Sequence, residues 1–203
     1  MFVVMALVMV GSSVALMQTD TGRVALVDQW ERTALAFGQE VGDARYVQFQ
    51  ATSREYGTAY AALSALVTGP ALTLAASVLI FAVFTGMMRG TGTFRQVLAI
   101  AAHAGVILAL RQVVATPLNY ARETLASPTT LGMFFPMLDE ASPAARFLGT
   151  IDLFVVWWVV VLALGVSLLY RRPARSTALL FIGAYVGIAA VLAIVMAVSG
   201  GTV

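Results

Sequence analysis

Five long apolar stretches, none containing an Asp or a Glu, limit what this chain can fold into. They are residues 2–17, 71–88, 96–116, 153–170 and 177–198. At 1.5 Å per helical residue, the last four are about 27–33 Å long, the thickness of a bilayer's hydrocarbon core. A water-soluble domain has no core large enough to hide so many continuous runs. The composition agrees: 60% of the 203 residues are hydrophobic and 11% are charged, against roughly a quarter charged in soluble domains. Mean hydropathy is +0.90. A transmembrane β-barrel would show alternating segments of about ten residues, and these runs do not alternate. The expected fold is all-α: a polytopic bundle of transmembrane helices forming one domain over residues 1–203.

The links between runs differ in charge. Residues 89–95 carry Arg89 and Arg95, and residues 171–175, "RRPAR", carry Arg171, Arg172 and Arg175; neither link has an acid. Residues 18–70 and 117–152 each carry more acids than arginines. By the positive-inside rule the two short basic links are cytoplasmic and the two long segments lie outside. This predicts five spans, with the N-terminus inside and the C-terminus outside. The first run is the shortest. It lacks a basic leader region, and "SVALMQTD" offers no small-x-small cleavage site, so it is read as a retained span.

Within the long outer segment, Val27, Trp30, Ala34 and Phe37 recur at helical spacing, and residues 45–66 form a second helical candidate. Both are read as amphipathic helices on the outer membrane surface. Gly69-Pro70 is read as the boundary before the second span, with proline in its first turn. The segment 117–152 holds four prolines and the apolar patch "LGMFFPML", too short to span and expected at the interface or over the outer mouth.

Few residues could carry chemistry. The chain has no cysteine, which removes disulfides and thiolate sites. One histidine, His103, cannot build a zinc site. A serine–histidine pair finds only the weak candidate "GSS" at 11–13. No Walker loop, dinucleotide fingerprint or dense basic cluster for nucleic acid is present. No enzymatic activity and no cofactor are expected. The intramembrane polar residues are His103, Arg111 and, at the outer start of the fourth run, Asp152. An ionisable residue inside a membrane is a functional candidate by default, but no carboxylate lies in any run to relay protons. His103 is therefore expected to be a neutral imidazole hydrogen-bonded to a neighbouring helix. Arg111 is expected to reach the headgroups or pair with Asp152. Ala101, Gly105 and Ala109 in the third run, and Gly183 and Gly187 in the fifth, form small-xxx-small steps, read as faces where helices pack closely.

Two blocks are more specific. "RGTGTFRQVLAIAAHA" (89–104) is a Gly/Thr-rich turn feeding a span. "SPTTLGMFFPMLDEASPAARFLGTIDLFVVWW" (127–158) leads through Asp152 and Trp157 to a Leu-Gly step at Gly165, a basic turn and a final span. Taken in order, they resemble bacterial members of the Yip family, named for Ypt-interacting proteins. The likeness is in detail over residues 71–198 and by layout before that. It implies a five-span, N-in membrane domain without catalytic residues. Bacterial relatives are often linked with ABC-type export systems. The absence of lysine, with all 12 basic residues arginine, suggests a GC-rich bacterial source, hence the inner (cytoplasmic) membrane. The expected partners are membrane lipids and another membrane protein, in an accessory or scaffold role. The competing expectation is a permease component with a polar path near His103 and Arg111.

Overall fold

The computed structural model describes residues 2–139 and 142–199. Each apolar run is helical, and among the described residues there is no strand, only an isolated antiparallel bridge between Thr130 and Asp152. The chain is all-α.

Helix α1 (Phe2–Met17) turns through 98° into α2 (Asp20–Ala36). Thr19 makes the corner. Its hydroxyl donates to the Leu16 carbonyl at 2.6 Å and accepts the Gly22 amide at 3.0 Å, capping α2. Gly22 is required there, because a Cβ would collide with the Leu16 carbonyl oxygen.

Helix α3 (Asp43–Phe81) runs on into a π-helical turn, Ala82–Met87, giving one rod of 45 residues, about 67 Å long. Residue 70 lies inside this helix. Gly69-Pro70 is therefore not a boundary: residues 45–66 and the second span are one helix. Helix α2 and the first half of α3 are not separate from one another. They pack on each other, with the Ser53 hydroxyl donating to the Arg23 carbonyl at 2.9 Å and Trp30 set edge-on to both Phe49 and Tyr60. A local proline signal loses here to tertiary packing. From Ser53 to Ser77 the buried positions of α3 are Ser53, Gly57, Ala61, Ala65, Gly69, Thr73 and Ser77, a small residue at every fourth place, before Ile80 closes the row. Small side chains let neighbouring backbones come close. Leu26 of α2 reaches Gly57, and Met9 of α1 reaches Gly69. The Thr73 and Ser77 hydroxyls satisfy themselves on carbonyls four residues back, Gly69 and Thr73, so the seam buries no unpaired hydroxyl.

Helices α4 (Phe94–Ala104) and α5 (Val106–Ala121) meet at Gly105 and act as one 28-residue apolar unit. A capping box starts α4: Thr93 and Gln96 exchange side chain–backbone bonds. A short 3-10 turn (Leu131–Phe134) and α6 (Pro143–Thr150) lead to α7 (Leu153–Leu169) and α8 (Ala174–Ser199). The turn leaves Phe134, Phe135 and Met137 exposed. The main core joins the end of α3 to α4 and α7 through Ile80, Phe84, Val97, Ala101, Trp158 and Val166.

Among the described residues, three helical units are long and apolar enough to cross a membrane: Asp43–Met87, Phe94–Ala121 and Ala174–Val198. The bent α1–α2 pair would add a fourth, and α7, at 17 residues, is apolar but shorter. The chain is multi-pass on this count.

Ala101 and Ala109 are buried, and a Cβ on Gly105 would lie 2.6 Å from the Met5 terminal methyl. That seam faces α1. Gly183 and Gly187 differ from expectation: both lie on the exposed side of α8, and no atom stands within 4 Å of a Cβ built there. Helix α8 meets α7 and α6 through its other side, where Ala189 and Ala193 are buried. In thermal unfolding in detergent, Gly105→Leu should cost about 1–3 kcal/mol by overpacking. Gly22→Ala should cost a similar amount, and Gly187→Leu should stay within about 0.5 kcal/mol of the parent. Equal loss at Gly105 and Gly187 would contradict the arrangement.

Candidate functional site

The densest polar cluster gathers on Asp152, 4% exposed, at the start of α7. One carboxylate oxygen, Oδ1, accepts the Phe154 and Val155 amides at 2.9 and 3.3 Å, the N-cap that an apolar helix needs for its first turn. The other, Oδ2, accepts the Arg111 Nε–H at 2.8 Å, the Ser127 hydroxyl at 2.7 Å and the Thr129 hydroxyl at 2.7 Å. Arg111 Nη2 also donates to the Ser127 oxygen at 3.0 Å. The Asp152 amide donates to the Tyr185 hydroxyl of α8 at 3.0 Å, which donates in turn to the Thr150 carbonyl at 3.0 Å. The Leu131 and Leu153 amides reach the Ile151 and Thr129 carbonyls and tie the Ser127–Thr130 loop to this helix start. One carboxylate thus holds together α5, the loop before the 3-10 turn and α7, with α8 joined through its amide.

Burial pushes the Asp152 carboxyl up. The hydroxyls of Thr129 and Ser127, with the Arg111 guanidinium, outweigh that and hold it below the usual carboxylate range. Five bonds fill this carboxylate, which stays charged and has no lone pair left over for catalysis. Beside it a polar cleft of about 330 Å³ opens between α1, α3 and α5, where the Gln112 amide donates to the Ser13 hydroxyl at 3.3 Å. The Asn119 Oδ1 atom is buried there with no protein partner among the described residues.

Of the sequence-selected polar residues, the structure brings Arg111 and Asp152 together and leaves His103 apart. His103 sits on the exposed side of α4, not against a neighbouring helix. Its Nδ1 donates to the Ala99 carbonyl of its own helix at 2.7 Å. The carbonyl can only accept, so Nδ1 carries a proton. Arg89, Arg171 and Arg172 line one mouth at the opposite end of the bundle, with Arg95 and Arg175 in the first turns of α4 and α8 at the same end. Ser127, Thr129 and Tyr185 are the members of the Asp152 cluster that sequence reasoning misses. Their only signal is the "SPTT" hydroxyl pair and a tyrosine inside an otherwise apolar run.

An all-α chain with several membrane-length apolar helices, tied at one end by a saturated buried ion pair, is a multi-pass membrane protein. A family model for the Yip1 domain matches residues 1–197, nearly the whole chain, and the protein belongs to that family. The match extends the likeness through the first seventy residues. No curated protein and no solved structure matches it.

Removing one member of a buried pair leaves the other uncompensated, at about 3–5 kcal/mol where both are fully buried. Arg111 keeps a third of its side-chain exposure, so Arg111→Met should cost less, about 2 kcal/mol. The folded-state pKa of Asp152 is depressed, so its contribution is complete above the unfolded value of about 3.9 and fades as pH falls below that. Asp152→Asn should flatten the acid limb of a stability–pH profile measured by thermal unfolding; an unchanged limb would show that the pair contributes nothing. His103→Gln and His103→Leu should both leave the unfolding temperature of the isolated protein nearly unchanged, because no other helix depends on the ring.

Proposed function

We propose that this Yip-family protein is a non-enzymatic scaffold or accessory subunit that packs against another membrane protein. The observation that carries the reading is the contrast between its two kinds of surface. Inside, the strongest polar groups are spent on one another around Asp152. Outside, α8 presents a long apolar flank with Gly183 and Gly187 open along it, a surface on which another helix can approach closely. With the Asp152 carboxylate saturated by its neighbours, the cluster favours association over chemistry. The partner proposed is a membrane-protein complex of the bacterial inner membrane, an ABC-type export system being the first to examine.

The proposed topology has five spans, N-terminus inside and C-terminus outside. It rests on the gathering of both basic links at one bundle end and the Asp152 cluster at the other, with the positive-inside rule orienting the pair. The permease alternative draws little support, since His103 faces outward while Arg111 turns inward to Asp152.

A photo-crosslinking residue at exposed Val191, one turn along α8 from Gly187, should yield a discrete adduct with a second membrane protein in cells, and one at buried Leu162 should not. Gly187→Leu should remove that adduct and leave the purified chain's stability intact. Equal labelling at both positions would defeat the scaffold reading. Topology reporters at Gly90 and Pro173 should read as cytoplasmic. The matching C-terminal fusion point, Val203, lies outside the described residues.

A further inference from the structure

We infer that the basic mouth between the two short links is a binding site for a phosphate-bearing anion. The mouth is a depression of about 510 Å³ lined by Arg89, Gly90, Gly92, Tyr170, Arg171 and Arg172. The Tyr170 ring forms its wall. It lies so close to the link that a Cβ on Gly90 or Gly92 would sit 2.5–2.9 Å from ring atoms. Its hydroxyl is 2.8 Å from the Thr85 hydroxyl, which donates in turn to the Gly92 carbonyl at 3.1 Å. The link is therefore held against α7 as a preformed edge.

Charge is the second argument. No carboxylate lines the mouth, and none of its three guanidinium groups has a hydrogen-bond or ion-pair partner among the described residues. Four helix ends meet here: the C-terminal ends of the π-turn and α7, and the N-terminal ends of α4 and α8. Their dipoles are opposed in pairs and nearly cancel. The guanidinium charges are left uncompensated, in a form suited to bidentate phosphate recognition.

Backbone conformation is the third. Arg89 and Arg171 have φ of 54° and 51°, the left-handed region that disfavours any residue but glycine. Each follows a helix end at the place where glycine is the usual terminator. The closing bonds are there: the Gly90 amide to the Phe84 carbonyl and the Arg172 amide to the Ser167 carbonyl, both 2.9 Å. The same turn after α5 carries Glu123 at φ 54°, so the geometry does not itself demand arginine. Arginine in place of glycine at both corners costs stability and puts two charges on one mouth, as expected where strain serves binding.

A phospholipid headgroup and a soluble phosphate ester share this chemistry, and the test separates them. Purified protein in neutral detergent is unfolded thermally with short-chain phosphatidylglycerol, with the same-chain diacylglycerol that lacks phosphate, and with inorganic phosphate against chloride at equal ionic strength. A rise in unfolding temperature with phosphatidylglycerol alone identifies a lipid site. A rise with inorganic phosphate as well identifies a soluble ester site, and either result supports the inference. Arg172→Gln should weaken the response about tenfold, as for loss of one charge-assisted hydrogen bond. Arg171→Gly is the sharper variant: it relieves the backbone, so the unliganded protein should unfold at a higher temperature while its affinity falls at least tenfold. Arg32→Gln, elsewhere on the surface, should leave binding unchanged. The inference is overturned if diacylglycerol matches phosphatidylglycerol, if neither phosphate compound shifts unfolding, if Arg171→Gly keeps full affinity, or if Arg32→Gln weakens binding as much as Arg172→Gln.

Discussion

Close approach to α3 is the interaction on which the rest of the bundle depends. A helix in lipid gains nothing from hiding apolar surface, because the lipid is as apolar as its neighbours; association comes from packing contacts and hydrogen bonds. Seven small residues in steps of four give α3 that close approach. Each step over-rotates a full turn by about 40°, so the row winds through about 240° between Ser53 and Ser77. The winding explains how one helix serves several partners in turn: α2 at Ser53 and Gly57, α1 at Gly69, and α4 beyond Ser77. The neighbours answer with larger side chains, Leu26 and Met9, that fill the room the small ones leave.

The two ends of the bundle use polar residues in opposite ways. At one end Asp152 is filled by five donors and fastens loop and helices together. At the other, Arg89, Arg171 and Arg172 share a mouth that no described carboxylate lines. Saturation makes the first end rigid framework. Excess charge makes the second end receptive. A chain with so few charged residues has spent most of those near its apolar helices on these two places, at opposite ends of the bundle.

How much of this was legible in the sequence varies with the range over which the signal acts. The apolar runs read directly as helices because length and the lack of acids are local properties. Residues 2–17 and 153–170 match α1 and α7 almost residue for residue. The seam of α3 was equally present, but Gly69-Pro70 reads locally as an end, and cutting the chain there hides a row that crosses it. Small residues at four-residue spacing announce a close-packing face without naming its partner. Ala101, Gly105 and Ala109 face into the bundle, while Gly183 and Gly187 face out of it. The Arg111–Asp152 pairing was visible as scarcity, one cation and one anion near the ends of neighbouring runs. Ser127 and Thr129 were not, since hydroxyls are too common for their spacing from Asp152 to stand out. His103 drew attention by being unique, and uniqueness says nothing about which way a side chain points.

The continuous helix through Pro70 has a mechanical consequence. From that residue to Asp43 the rod forms an arm of about 40 Å. Proline has no amide hydrogen to give the carbonyl four residues earlier, which lowers the bending stiffness at that one place. A deflection of about 10° there carries the far tip through about 7 Å, with α2 riding on it, while the portion gripped by α4 and α7 stays still. The section gripped by α4 and α7 is thus the clamp of a cantilever, and the arm swings together with α1 and α2, which pack along it.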